Sequence, residues 1–254
     1  MVTLMDDALL KKRFIELANR TFRNGIPSFT SFLGLAEQDC FFSIKKELPP
    51  VPYAFFGGTN GCERLMIRFG DEDFCGFDCP FPIVCLSAEP LSKKFSDTLT
   101  HRDILGAIMN LGIDRSTVGD IVLVDNTAYI FCTELVHQHI VDNLTRANHT
   151  ELSVSLTEAF PQGELYRLER LKINIASERL DCVTAKFLNL SRGDTCSLIE
   201  RERVFINGRS CTNAGKSLCP GDKVTVRGYG RFIFAELTGV TKKGRLTAAI
   251  DKYV

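Results

Sequence analysis

Apolar positions recur at three- and four-residue intervals from the start of the chain. Leu10, Phe14, Leu17, Ala18 and Phe22 form one stripe, with Lys11, Lys12, Arg13, Arg20 and Arg23 between them. That spacing predicts an amphipathic helix over 7–24. Ile26-Pro27 ends it, a second short helical pattern covers about 29–38, and Pro49, Pro50 and Pro52 break the chain again. Residues 53–56 and 65–69 then read as strands, joined by Gly57-Gly58-Thr59-Asn60-Gly61. Glycines near a turn suit a phosphate loop, but no helix signal or Lys-Ser/Thr pair follows, so a plain hairpin turn is the expectation.

After Pro80 and Pro82 the pattern becomes regular. Strands are predicted at 83–86, 121–124, 128–132 and 152–156, with helices at 100–111 and 134–144. Asp125-Asn126 supplies a tight turn between the middle strands. The order β-α-β-β-α-β is that of the ferredoxin-like, split βαβ fold, which RNA-recognition motifs (RRM) share. Tyr129 and Phe131 share a strand face. Exposed, they would stack bases; the scarcity of basic residues around them favours a core role against the helices. Thr100-His101-Arg102-Asp103 imitates the start of a kinase catalytic loop, yet the asparagine is misplaced at Asn110 and no phosphate loop or Asp-Phe-Gly is present. Its spacing suits a capping box, with Gly112 ending the helix. The predicted class is α+β: an N-terminal α/β domain over 1–78, a ferredoxin-like (βαββαβ, RRM-like) domain over 79–162, a hinge at Pro161-Gln162-Gly163, and a third domain over 172–254.

In that third part, Leu180, Val183, Phe187 and Leu188 mark the buried face of a short helix, with Arg179 off it. A second helix begins at Leu190-Ser191-Arg192-Gly193-Asp194, where Ser191 is placed to cap and Asp194 to reach back. Unpaired N–H groups and the dipole make such a start an anion site, and Arg192 adds a full charge. The helix ends near Glu202, a strand leads into Asn207-Gly208, a type I′ signal, and Pro220-Gly221-Asp222 makes the next turn. Beyond it Lys223, Thr225 and Arg227 alternate with Val224 and Val226, giving one basic and one packed face. Gly228, Tyr229, Gly230 and Arg231 add a close backbone approach, a stacking ring and another cation.

Charge sharpens this picture. The whole chain of 254 residues has 31 Lys and Arg against 31 Asp and Glu, but residues 172–254 hold 15 against 8. The remainder is acidic by the same margin. A basic segment on a neutral chain suggests a polyanionic partner. At 44% apolar and 24% charged the composition is that of an ordinary globular protein. No apolar run suggests a membrane span and the N-terminus lacks signal-peptide order, so a cytoplasmic protein is expected. The ten cysteines read as reduced, mostly buried thiols. Cys75 with Cys79 is the nearest approach to a zinc pair and nothing answers it, while His137 and His139 fall on different helix faces. No metal and no cofactor are expected.

The third part resembles the S-four (S4-like) RNA-binding domain, named for ribosomal small-subunit protein four. The match rests on Ser177-Glu178-Arg179-Leu180-Asp181, Leu190-Ser191-Arg192, Leu198-Ile199, Arg203-Val204-Phe205-Ile206-Asn207-Gly208 and Gly221-Asp222-Lys223-Val224. Upstream, Phe55-Phe56-Gly57-Gly58 through Cys62-Glu63-Arg64, and Thr100-His101-Arg102-Asp103-Ile104-Leu105-Gly106 through Gly119-Asp120-Ile121, are similar to the bacterial YlmH family. The resemblance implies three domains and binding to large ribosomal subunits carrying stalled peptidyl-tRNA, hence to structured rRNA and tRNA. The residues expected to touch RNA are Arg179, Ser191, Arg192, Arg201, Arg203, Lys216, Lys223, Arg227 and Arg231. Gly193-Asp194-Thr195 and Glu202 depart from the pattern, Glu202 standing where a glycine is usual.

Two other functions compete. Arg179-Leu180-Asp181 imitates the aspartate context of pseudouridine synthases, but Cys182-Val183-Thr184 does not continue it, and Asp181 is expected to pair with a nearby base. A methyltransferase would need a glycine-rich turn after a parallel strand, and none appears. A protein-interaction module on the ribosome, using the acidic front against a basic partner, is the third reading. No catalytic residue is expected.

Overall fold

A computed structural model describes residues 7–92, 97–158, 160, 168–241 and 244–253. The first helix, α1 (Asp7–Asn24), buries Leu10, Phe14, Leu17 and Ala18 as the spacing predicts. Phe22 is exposed instead, and Thr21 takes the buried place beside Phe69. Next come β1 (Ser28–Phe29) and α2 (Leu35–Ile44), so the second helix starts later than the predicted 29–38. The reason is pairing. Ser28 and Phe29 lie opposite Phe69 and Arg68, and Leu33 bridges to Leu65, so the edge of a sheet claims this stretch before Gly34 and Glu37 open the helix. The hairpin β2 (Tyr53–Phe56) and β3 (Met66–Phe69) completes a three-stranded sheet in the order β1-β3-β2, followed by the single turn α3 (Glu72–Cys75). Phe14, Phe41, Ile67 and Phe69 fill this core.

A second sheet follows: β4 (Ile83–Pro90), α4 (His101–Asn110), β5 (Val118–Val124), β6 (Thr127–Thr133), α5 (Glu134–Asn143), β7 (Arg146–Ala147) and β8 (Thr150–Leu156). The strands lie antiparallel in the order β5-β6-β4-β8-β7, the neighbour relation of a split βαβ arrangement with one short added strand. Asp125 and Asn126 both have positive φ, 48° and 64°, as a two-residue type I′ turn requires. Ile104, Ile108 and Ile140 of the helices pack on Leu86, Ile121, Ala128, Ile130 and Cys132.

Tyr129 and Phe131 therefore point away from the helices, which corrects the expectation that they face them. They are covered all the same. Phe131 packs with Cys62 and Val122, Phe160 stands 5.3 Å from both rings, and Gly58 lies flat on Phe131. A Cβ on Gly58 would sit 2.2 Å from the Phe131 ring, so the glycines of this loop permit close packing. A polar seam ties the two sheets together. The buried Asp120 carboxylate accepts from the Glu63 N–H at 2.5 Å and the Arg64 N–H at 3.3 Å, and Arg64 donates to the carbonyls of Phe32 and Val118. Burial pushes the Asp120 carboxyl above its ordinary range, against the pull of those two N–H groups.

The contacts divide the chain into two compact units, Met1–Leu165 and Tyr166–Val254. The expected hinge at Pro161-Gln162-Gly163 lies outside the described residues. The second unit contains β9 (Leu168–Ile175), α6 (Leu180–Leu188), α7 (Arg192–Glu200), β10 (Val204–Ile206), β11 (Arg209–Ser210), β12 (Lys223–Val226), β13 (Gly230–Val240) and β14 (Leu246–Tyr253). Its strands form an antiparallel sheet in the order β11-β10-β12-β13-β14-β9. Leu180, Val183 and Ile199 of the two helices pack against Val204, Val224, Val226, Phe232 and Phe234, so both helices cover one face of the sheet. On the other face Phe205, Lys223, Thr225 and Arg231 are partly exposed.

Candidate nucleic-acid interface

The site is built around a buried acid. Asp181 lies in the first turn of α6 with its side chain 2% exposed, and Cys182 donates its N–H to Oδ1 at 2.8 Å. Arg179, just before the helix, donates through Nε and Nη2 at 3.1 and 3.2 Å to the two carboxylate oxygens, and Arg192, at the start of α7, donates through Nη2 to Oδ2 at 2.5 Å. Burial alone would raise the Asp181 carboxyl, but the hydrogen bonds from Arg179, Arg192 and Cys182 outweigh it and bring the group to about 2. One ionised carboxylate thus holds two half-exposed guanidiniums side by side and leaves their remaining N–H groups toward solvent.

Backbone pairing brings a third cation to this end. The Leu180 N–H donates to the Lys216 carbonyl at 2.8 Å and the Asp181 N–H to the Ala214 carbonyl at 3.1 Å, which lays the 213–218 loop beside the helix start and places the exposed Lys216 near Arg179. Ser191 caps α7. Its Oγ accepts from the Asp194 N–H at 3.1 Å and donates to the Asp194 carboxylate at 2.7 Å, so the serine is occupied by the cap.

At the far end of α7 the chain turns by a Schellman motif. The Glu202 N–H reaches the Ile199 carbonyl and the Arg203 N–H the Leu198 carbonyl, with Glu202 left-handed at φ 55°. The turn leaves Arg201 and Arg203 exposed and delivers Arg203 to β12. Arg203 donates through Nη2 to the Arg227 carbonyl at 3.1 Å, and Arg227 returns its N–H to the Arg203 carbonyl at 2.9 Å. Phe205, Thr225 and Arg231 are opposed in register on the sheet face away from the helices, and Lys223 shares that face. There the Arg227 guanidinium lies 4.4 Å over the Phe205 ring and the Arg231 guanidinium 4.2 Å over the Tyr253 ring. A cation resting on an aromatic face is presented flat, in the manner that suits stacking on a base or pairing with a phosphate. Tyr229, exposed, borders a shallow hollow with Ser197, Leu198 and Arg201.

The nine expected residues thus form two groups. Arg179, Ser191, Arg192 and Lys216 gather at the start of α7; Arg201, Arg203, Lys223, Arg227 and Arg231 gather past its end and across the sheet face away from the helices. Sequence reasoning did not pick out Phe205 and Tyr253, although Phe205 lies between the buried Val204 and Ile206 and so had to face outward. Lys172 lies on β9, and Arg170 is neutralised there by Asp251 at 2.8 Å and Glu236 at 3.6 Å. Asp181, with its oxygens engaged and enclosed, is not placed to attack a base. Among the described residues no three His, Cys, Asp or Glu side chains converge as a metal site.

Residues 84–160 match the family described as "Putative RNA-binding domain in YlmH". A curated relative, "Ribosome-associated protein quality control protein P2" of Bacillus subtilis (strain 168), is 24% identical over 249 residues, covering 98% of this chain and 93% of the relative. Over residues 84–160 the chain is similar to the YlmH family. Among solved structures, "Cell division protein ylmH from Streptococcus pneumoniae" aligns over 62% of this chain and 95% of that one, at 20% identity and a TM-score of 0.47. The YlmH segment corresponds to the second sheet with α4 and α5, whereas both arginine groups described above lie in the unit that follows it.

Proposed function

We propose that this protein binds structured RNA without catalysing a reaction, and that its main contact is the cationic surface of the Tyr166–Val254 unit, an S-four-like module. The observation that carries this reading is the pair of guanidiniums held on Asp181 at the start of α7, with the arginine–aromatic pairs on the sheet face beyond its end. Fixed, outward-facing donors near a helix start bind phosphate, and flat arginine–aromatic pairs accept bases or backbone without sequence readout. The similarity to a relative named for ribosome-associated quality control supports a ribosome-associated RNA as the target, in the cytoplasm; the family resemblance makes that the rRNA or tRNA of the large subunit. No helix among the described residues is long and apolar enough to cross a membrane.

The test is binding of the Tyr166–Val254 fragment to a folded RNA across a salt series. The logarithm of affinity should fall against the logarithm of salt with a slope of about −0.8 for each phosphate neutralised. A salt-insensitive complex would overturn the reading. Mass analysis of nucleosides after incubation with bulk RNA should show no protein-dependent modification, and sequencing of the RNA that co-purifies would name the target.

A further inference from the structure

The segment that matches an RNA-binding family is itself acidic: residues 84–160 hold 5 Lys and Arg against 10 Asp and Glu. Among the described residues its sheet face offers no open stacking platform: Phe131 is buried, and Tyr129 is half-buried with Phe160 edge-on at 5.3 Å. Of its five cations, Lys93 and Lys94 lie outside the described residues and Arg115 is turned inward onto the Val118 and Gly119 carbonyls. The two that remain, Arg102 and Arg146, line the same groove, which runs between α4 and the turn after α5. Neither forms an ion pair among the described residues.

Arg102, Gly106 and Asn110 follow one another at four-residue spacing along the α4 wall, and Asn148 joins Arg146 on the opposite wall. Gly106 is the informative residue. Glycine inside a helix weakens it, and a Cβ here would meet nothing within 4 Å, so neither packing nor backbone geometry asks for it. What it does is lower the groove floor between a guanidinium and an amide. Asp103, also on this wall, is occupied as the helix cap, accepting from the Thr100 N–H at 2.9 Å and the Thr100 hydroxyl at 2.6 Å. Glu151 lies opposite Arg146 in the β7–β8 register and is the counter-charge an anion would have to overcome.

We propose that this groove is a second RNA contact, on the helical side of the domain, which takes the sugar–phosphate backbone with Arg102 and Arg146 on phosphates and the strand passing over Gly106. This rests on the RNA-binding reading above but is separable from it. The test uses the full chain and an unmodified tRNA transcript. Arg102→Gln with Arg146→Gln should weaken binding by about tenfold for each arginine lost and flatten the salt slope by about 1.6, the share of two phosphates. Gly106→Leu should raise the melting temperature, since it improves the helix in open space, while lowering affinity. A merely structural glycine would not move the two in opposite directions. Arg227→Gln reports on the other unit. If it weakens binding while the double variant and Gly106→Leu bind with wild-type affinity and slope, the groove is not a contact and the C-terminal reading stands. If the double variant weakens binding and Arg227→Gln does not, the groove stands and the C-terminal assignment falls. Binding by the wild type that ignores salt would remove both.

Discussion

Asp181 decides how its neighbours behave. Its carboxyl is depressed to about 2 in the folded state, so the stability it contributes is present above the unfolded pKa near 4 and is lost as pH falls toward 2. Allowing for the half-exposed arginines, that contribution is about 1 kcal/mol. Urea unfolding between pH 5 and 2 should therefore fall more steeply for the wild type than for Asp181→Asn. The same contact sets the outcome at Arg192. A helix dipole tolerates an acid in its first turn, but here Arg192→Glu would set a second carboxylate against Asp181. RNA affinity should drop by about 2 kcal/mol, as for loss of a charge-assisted hydrogen bond, and the unfolding free energy should drop with it. Lys12→Glu, exposed on α1 in the other unit, should change neither. If Arg192→Glu binds RNA as the wild type does, the helix-start group is not the phosphate site.

Turns carry the next level. Glu202 occupies the left-handed residue that closes α7, a conformation that costs an L-residue about 1 kcal/mol relative to glycine. Glu202→Gly should raise stability by roughly that amount in chemical denaturation, and should also tighten RNA binding slightly by removing an acid between Arg201 and Arg203. The opposite case is the β2–β3 loop. Gly58 has φ 107° and no room for a Cβ against Phe131, so Gly58→Ala should destabilise the first unit by about 2 kcal/mol or more. A variant that melts with the wild type would mean the loop moves off β6 at no cost.

Across the whole molecule, β9 closes one edge of the second unit's sheet. It pairs with β14 from Leu168 to Ile175, so a fragment begun at residue 172 loses half an edge strand, whereas one begun at Tyr166 keeps all of it and should unfold cooperatively and bind RNA. Much of this architecture was legible locally. Helical spacing located α1, α4, α5, α6 and α7; the Asp125-Asn126 and Asn207-Gly208 turns placed two hairpins; and the charge surplus pointed to the C-terminal unit. These are properties of neighbours in the chain, and short-range sterics and periodicity determine them. The placement of α2 was not legible, because pairing with β3, far along the chain, competed with its helical pattern and won. Nor was the orientation of Tyr129 and Phe131: alternation says that they share a face but not which face, and the 57–62 loop that covers Phe131 comes from a different sheet. The candidate arginines could be named one by one from the sequence. Their grouping could not, because the carboxylate that holds Arg179 to Arg192 and the rings beneath Arg227 and Arg231 are brought to them only when the strands and helices pack.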